Sequence, residues 1–311
     1  MKILVFDIGG TFLKYGVCTE DSLECTGEVP TEAYKGGRHV LDLVISLIER
    51  SQDYDAIGIS TTGQVDSDNG SICYANQNVP GYTGMEIRKE LEQRFHVPVA
   101  VENDVNAAAL GEAFYGAGKD RKSFICITYG TGIGGAIVED RKIYHGSAFS
   151  AGEFGAIVTH GKEKISGTDY FDGCYEKYAS TTALVKKAQR YDERLKDGKS
   201  IFAMLSDENV KKIVDEWIDE IMIGLSTIIH IFNPECIVLG GGIMKQTYIV
   251  EQIKKRMSSY IMPSFSNVEI VNAQLGNEAG LWGMNYLVRE IPLPNLCFNA
   301  MMSNKNGGNA L

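Results

Sequence analysis

A strand, a glycine turn and a second strand occur twice in this sequence, and that repetition limits the folds open to it. Residues 3–6 form an apolar run, Gly9 and Gly10 interrupt it, and residues 14–17 resume an extended pattern. Residues 124–128, the glycine-rich turn 130–135 and the apolar run 136–138 follow the same plan. The segments FDIGGTFLKYGV and ITYGTGIGGAIV lie roughly 120 residues apart, which predicts two related halves, each opening with a glycine-turned hairpin.

Between the hairpins, residues 56–60 and 99–101 read as short buried strands preceded by helices near 39–50 and 84–95. Strands and helices alternate, so the fold class is α/β. Farther on, Val210, Ile213, Val214, Trp217, Ile218, Ile221, Leu225 and Ile228 recur at spacings of three and four, predicting a helix over 209–231 that Asn233 and Pro234 end. Residues 236–239 read as a strand entering Gly240-Gly241-Gly242, with helices near 248–259 and 279–289. A length of 311 residues is about twice a usual domain of roughly 150, so two domains are expected.

The net charge of −10 with no long basic cluster opposes nucleic-acid binding. Seven cysteines, odd in number and without a CxxC pair, fit a reduced cytoplasm better than a disulfide framework. The opening MKILVFDIGG carries an apolar run too short for a signal-peptide core or a membrane span, so neither export nor membrane attachment is expected. The polar, glycine-rich end SNKNGGNAL predicts a poorly ordered tail unless a partner holds it.

Asp7-Ile8-Gly9-Gly10-Thr11 sets a carboxylate at a strand end beside a bare turn and a hydroxyl. Glycines let backbone N–H groups approach phosphate oxygens, and a nearby Asp can hold a metal; a plain hairpin turn suits the same residues. Gly130-Thr131-Gly132-Ile133-Gly134-Gly135 satisfies G-x-G-x-x-G, but a dinucleotide fingerprint needs those glycines to open a helix. Here a strand follows, then a turn at Glu139-Asp140-Arg141, and no protein-kinase VAIK, HRD or DFG appears in order. The readings left are a phosphate-facing hairpin and a turn alone. Strand 99–101 delivers Glu102-Asn103-Asp104 to a helix, a place for ligand contacts and equally for helix capping by Asn103 or Asp104. Glu153, in a glycine-flanked loop, and Glu176, after Gly173-Cys174, read singly as solvated acids.

In order, these pieces resemble the ROK family of sugar kinases and sugar-responsive repressors, within the actin-like ATPase superfamily. DIGGT at Asp7 is similar to the first phosphate motif, VENDVNAAALGE at Val101 to the catalytic segment and YGTGIGGA at Tyr129 to the second phosphate motif. AGEFG at Ala151 is similar to the sugar loop and NPECIVLGGG at Asn233 to the adenosine motif. The resemblance runs over residues 2–289 and implies two actin-like ATPase (ribonuclease H-like) domains with a cleft between them. It implies a sugar- and phosphate-side domain over 1–115, completed by a helix near 277–291, a nucleotide-side domain over 116–276, and a tail over 292–311.

The resemblance also implies an ATP-dependent kinase for the 6-hydroxyl of a hexose or N-acylhexosamine. Asp104 would be the general base and, with Asn103, Glu153 and Glu176, would bind the sugar. Asp7 would place Mg2+, directly or through water. Gly9, Gly10 and Thr11 with Gly130, Thr131 and Gly132 would hold ATP, and Gly241 would face the nucleoside. A homodimer is implied as well. Phosphoryl transfer needs amide-rich turns, a metal and one carboxylate aimed at the nucleophile, and an ordinary carboxylate with pKa near 4 is ionised at pH 7.

Many relatives carry GEFGH or GEIGH followed by CxCGxxGC, which binds structural zinc near the sugar. Here Ala156 takes the histidine place and residues 167–174 keep only Cys174, so no zinc is predicted; His160 and Asp169 are the nearest substitutes. The loss bears on specificity near carbons 1 and 2 and leaves glucose, N-acetylmannosamine and β-glucosides all open; residues 74–82 resemble the sugar-side loop without choosing among them. A noncatalytic sugar-sensing regulator is the alternative of another class, and the absence of a helix-turn-helix ahead of Asp7 disfavours it.

Overall fold

The computed structural model describes residues 1–20, 22–165, 167 and 169–291; the tail of residues 292–311 lies outside the described residues. The first half runs β1 (Ile3–Ile8), β2 (Phe12–Cys18), β3 (Leu23–Pro30), α1 (Gly37–Glu49), β4 (Ala56–Thr61), β5 (Gln64–Asp66), β6 (Ser71–Tyr74), α2 (Ile87–Phe95), β7 (Val99–Asn103) and α3 (Asp104–Tyr115). The second runs β8 (Phe124–Tyr129), β9 (Ile133–Glu139), β10 (Lys142–Ile143), α4 (Glu176–Ala179), α5 (Thr181–Gln189), α6 (Gly198–Ala203), α7 (Glu208–Phe232), β11 (Cys236–Gly240), α8 (Thr247–Arg256), β12 (Glu269–Asn272) and α9 (Ala279–Arg289).

Two five-stranded sheets result, ordered β3-β2-β1-β4-β7 and β10-β9-β8-β11-β12. In each, an antiparallel three-strand meander is extended by two parallel strands. The two halves therefore share one topology, as the repeated hairpins predict. Alternation sets the layers: Leu4, Phe6 and Ile8 face a core with α1, while Ile3 and Val5 face Leu281, Met284 and Val288 of α9. In the second sheet, Ile125 and Ile127 pack on the apolar stripe of α7, while Phe124 and Cys126 face Ala109 and Ala113 of α3.

The helices nearest the centre are thus exchanged: α3 follows the first sheet but covers the second, and α9 follows the second but covers the first. They cross each other at glycines. A Cβ at Gly111 would lie 2.2 Å from the Ala279 carbonyl oxygen, and one at Gly283 would lie 1.7 Å from that of Ala107, so only bare backbone allows this approach.

Strand β3, the hairpin β5–β6, strand β12 and helices α4 to α6 were not foreseen from periodicity. Strand β3 lies at a sheet edge and carries Glu24, Gly27, Glu28 and Pro30, residues that blunt an edge and mask a strand pattern. Helix α7 extends to Glu208–Phe232, with Asp207 accepting from the Asn209 and Val210 N–H groups and Asn233 closing it at φ 44°.

Candidate active site

Parallel pairing aligns the ends of β1, β4 and β7, so Asp7 lies beside Ser60, Ser60 beside Glu102 and Thr61 beside Asn103. Polar residues closing three apolar strands make one row at the C-terminal edge of the sheet, where open α/β sheets bind ligands. Ser60 donates to Asp7 Oδ1 at 2.8 Å, and Lys14, its cross-strand partner on β2, brings Nζ to 3.7 Å from Oδ2. Gly280 at the start of α9 leaves room there, since a Cβ would lie 3.1 Å from Asp7 Oδ1. Burial pushes the Asp7 pKa up, with Ser60 and Lys14 opposing.

Gly10 and Thr11 are exposed at the β1–β2 turn, and Gly9 is half-buried. Buried Thr31 braces that turn: its hydroxyl donates to the Gly9 carbonyl at 2.7 Å and its N–H to the Thr11 carbonyl at 2.9 Å. Asn103 is the cap of α3, its Oδ1 accepting from Val105 and Asn106 N–H while its Nδ2 donates to the Gly63 carbonyl. The capping alternative therefore holds for Asn103, and Asp104 is the first residue of the helix.

Asp104 departs from the ordinary carboxylate expected of it. Its pKa is pushed up to about 7, first by burial and then by the charge of Asp7, with the Val105 N–H opposing. The sequence showed the acid but not that the charge of Asp7, far along the chain, would raise its proton affinity.

The second turn joins β8 to β9. Gly130 and Thr131 are exposed and Gly132 is half-buried. The Gly130 carbonyl accepts from Thr181 N–H at 3.0 Å, tying the turn to the start of α5. Val105, next to Asp104, fills the space that a Cβ on Gly134 of β9 would enter, 2.6 Å from its Cγ2, which sets the helix of Asp104 against the second sheet. Glu176 stands where the turn meets the AGEFG loop: a Cβ on Gly132 would lie 2.7 Å from its Oε2, one on Gly155 3.0 Å. The two expected sugar acids interact, Glu153 adding to the burial that raises the Glu176 pKa. Glu153 itself is raised by burial and opposed by a hydrogen bond to Gln64 on β5.

At the end of β11, Gly241 has φ 96° and a Cβ there would lie 2.2 Å from the Tyr129 carbonyl, so glycine is required twice over. It lines a cavity of about 120 Å³ with Thr128, Gly240, Gly242, Met244 and Glu112. Glu112 is 1% exposed and accepts from the N–H groups of Ala117, Gln274 and Leu275, joining α3 to the loop ahead of α9.

Sequence reasoning did not single out Lys14, Thr31, Ser60, Glu112 or His145, and it named Glu102 without its His145 partner. Ser60 had a local signal, a polar residue ending an apolar strand; the others are joined to the site through partners remote in the chain. Of the substitutes considered for zinc, His160 is 3.5 Å from Glu220 and shares a hydrogen bond with Thr159, while Asp169 pairs with Lys177 at 2.9 Å. Among the described residues no group of three or more His, Cys, Asp or Glu side chains is placed to hold a metal.

A model of the ROK family matches residues 3–291. A β-glucoside kinase of Listeria innocua is 33% identical over 294 residues, spanning 92% of this chain and 97% of that protein. A Listeria monocytogenes protein described as a candidate N-acetylmannosamine kinase superposes with TM-score 0.84 at 29% identity, over 93% of this chain and 99% of that one. A Streptomyces griseus ROK glucokinase, solved with glucose and AMPPNP, gives TM-score 0.80 at 29% identity, over 93% and 99%. The exchanged two-sheet architecture is the actin-like ATPase fold of these neighbours. With the family model spanning nearly every described residue and the five motifs in order along it, the chain belongs to the ROK family.

Proposed function

We propose that this protein is an ATP-dependent sugar kinase transferring phosphate to the 6-hydroxyl of a hexose or N-acylhexosamine. The observation that carries the reading is Asp104 at the start of α3, its proton affinity raised toward neutrality by burial and by Asp7, with Val105 beside it packed on Gly134 of β9, the strand that follows the second glycine turn. Relatives that act as glucokinases and β-glucoside kinases support it.

Asp104 would accept the proton of the sugar hydroxyl as its oxygen attacks the γ-phosphorus and the bond to the bridging oxygen of ADP breaks. N–H groups of Gly10, Thr11, Thr131 and Gly132 would hold the phosphates, while those of Gly9 and Gly130 shape the turns by donating to the Phe12 and Gly132 carbonyls, and Lys14 would add positive charge beside Asp7. The donor set of Asp7 and Ser60, oxygen only and partly desolvated, suits a hard cation. Mg2+ there would neutralise phosphate charge. Asn103, Glu153 and Glu176 would orient the sugar, and the position of Gly241 leaves backbone for the nucleoside to rest on. Cys18, Cys73, Cys126, Cys174 and Cys236 are free thiols, which fits a reducing cytoplasm.

A second reading, a β-glucoside kinase, is favoured by Tyr74 and Tyr170. Both are exposed, one from the β5–β6 hairpin and one from the loop before α4, and Tyr74 lies near enough to raise the Tyr170 pKa. Their ring faces offer a surface to a group beyond carbon 1.

The test is ADP release over glucose, N-acetylmannosamine, N-acetylglucosamine, mannose, fructose and cellobiose, with Asp104→Asn beside the wild type. The substitution is expected to lower kcat by about 10²–10⁴-fold on the best sugar. Unchanged turnover would overturn the base assignment, and sugar binding without any ADP release would favour the regulator.

A further inference from the structure

Glu102 is a buried carboxylate that the reaction described above does not use. It is 1% exposed, and each of its oxygens is engaged. Oε1 accepts from the Asn103 N–H at 2.8 Å and from Asn106 Nδ2 at 3.0 Å, which binds the last turn of β7 to the first turn of α3. Oε2 lies 2.8 Å from Nε2 of His145. A carboxylate taken out of water is costly unless it is paired and hydrogen-bonded, so this imidazole is part of what makes the junction tenable.

His145 comes from the other half of the chain, just after β10. Its carbonyl accepts from the Ala151 N–H at 3.1 Å, so it is tied to the loop that carries Glu153. Its Nε2 also lies 3.2 Å from the Ser67 hydroxyl in the β5–β6 turn, and the Phe149 ring packs beside it with centroids 5.9 Å apart. One side chain thus connects the strand end that presents Asp104, the hairpin that carries Gln64, and the loop of Glu153.

We propose that His145 is a positioning residue for phosphoryl transfer, its imidazole acting through Glu102 to hold the β7–α3 junction so that Asp104 faces the acceptor hydroxyl. The proposal rests on the reading of Asp104 as the base. A charged imidazole makes the stronger, charge-assisted bond to Glu102, and a neutral one keeps only the weaker bond. The charged groups that face it are Glu102 from β7 and Asp68 from the β5–β6 turn; desolvation opposes them, and together they raise its pKa above 6.5. The charge-assisted hold is therefore present at low pH and lost as pH rises through that raised value.

The experiment is steady-state kinetics of full-length wild type, His145→Ala, His145→Gln and Asp104→Asn on the best sugar, from pH 6 to 9, with thermal melts of each. His145→Ala is expected to lower kcat about tenfold at pH 7 while the KM for ATP stays within about twofold, because a small misplacement of a catalytic group is expensive and the nucleotide turns are untouched. His145→Gln, which can still donate to Glu102, is expected to recover most of kcat at neutral pH and to lose the alkaline decline of the wild type. An unchanged kcat in folded His145→Ala overturns the proposal, as does an alkaline decline that persists in His145→Gln, the deciding variant should the alanine protein not fold. Loss of turnover in Asp104→Asn with no effect at His145 sinks only this proposal, whereas full activity in Asp104→Asn sinks the assignment beneath it.

Discussion

Asp104 binds its proton more tightly in the folded protein than an Asp in an unfolded chain does, and rate and stability respond to that fact in opposite directions. In the base role proposed for it, Asp104 must be unprotonated, so kcat/KM for the sugar is expected to fall about tenfold per pH unit below about 7, well above the range of an ordinary carboxylate. For stability, a raised acid favours folding while it keeps its proton and opposes folding once ionised. Its contribution therefore declines as pH climbs from the unfolded value of 3.8 through about 7. Asp104→Asn cannot ionise, and its melting temperature is expected to exceed that of the wild type at pH 8 by about 2–4 °C, with the gap narrowing to less than half at pH 5. Calorimetry at the two pH values checks this; an equal gap at both would show that burial does not govern the group. The acid was legible in VENDVNAAALGE, but Asp7, Ser60 and Lys14 reach its neighbourhood through strand pairing, which no local pattern records.

At the scale of elements, the crossing of α3 and α9 at Gly111 and Gly283 joins the helix that starts with Asp104 to the helix that covers the first sheet. The run of small residues in α3 was readable as a helix, yet its smallness serves a partner helix far along the chain. Gly283→Ala is expected to destabilise by about 1–3 kcal/mol, because the added carbon would lie 1.7 Å from the Ala107 carbonyl and the two helices must part. Denaturant unfolding measures it; an unchanged midpoint would mean the crossing yields freely. The long helices declared themselves through apolar spacing, and α9 falls at Ala279–Arg289, where periodicity puts it. The short elements did not, since three or four residues such as Gln64–Asp66 or Glu269–Asn272 carry no period and owe their conformation to the strands beside them.

For the molecule as a whole, the repeated hairpins translate into two sheets of one topology with their central helices exchanged. Metal content is also read on the whole chain. Elemental analysis of chelator-washed protein is expected to show no stoichiometric zinc, since Ala156 stands at the histidine place and Cys174 is the one cysteine left in the loop. A signal near one zinc per chain would overturn that reading. Glycine turns, helix stripes and the order of the motifs could all be found along the chain, because each depends on residues within a few positions of one another. The proton affinity of Asp104, the brace of Thr31 under the first turn, and the bond from His145 to Glu102 came into being only on folding. Desolvation and ion pairing act through space, between groups that the linear order keeps apart.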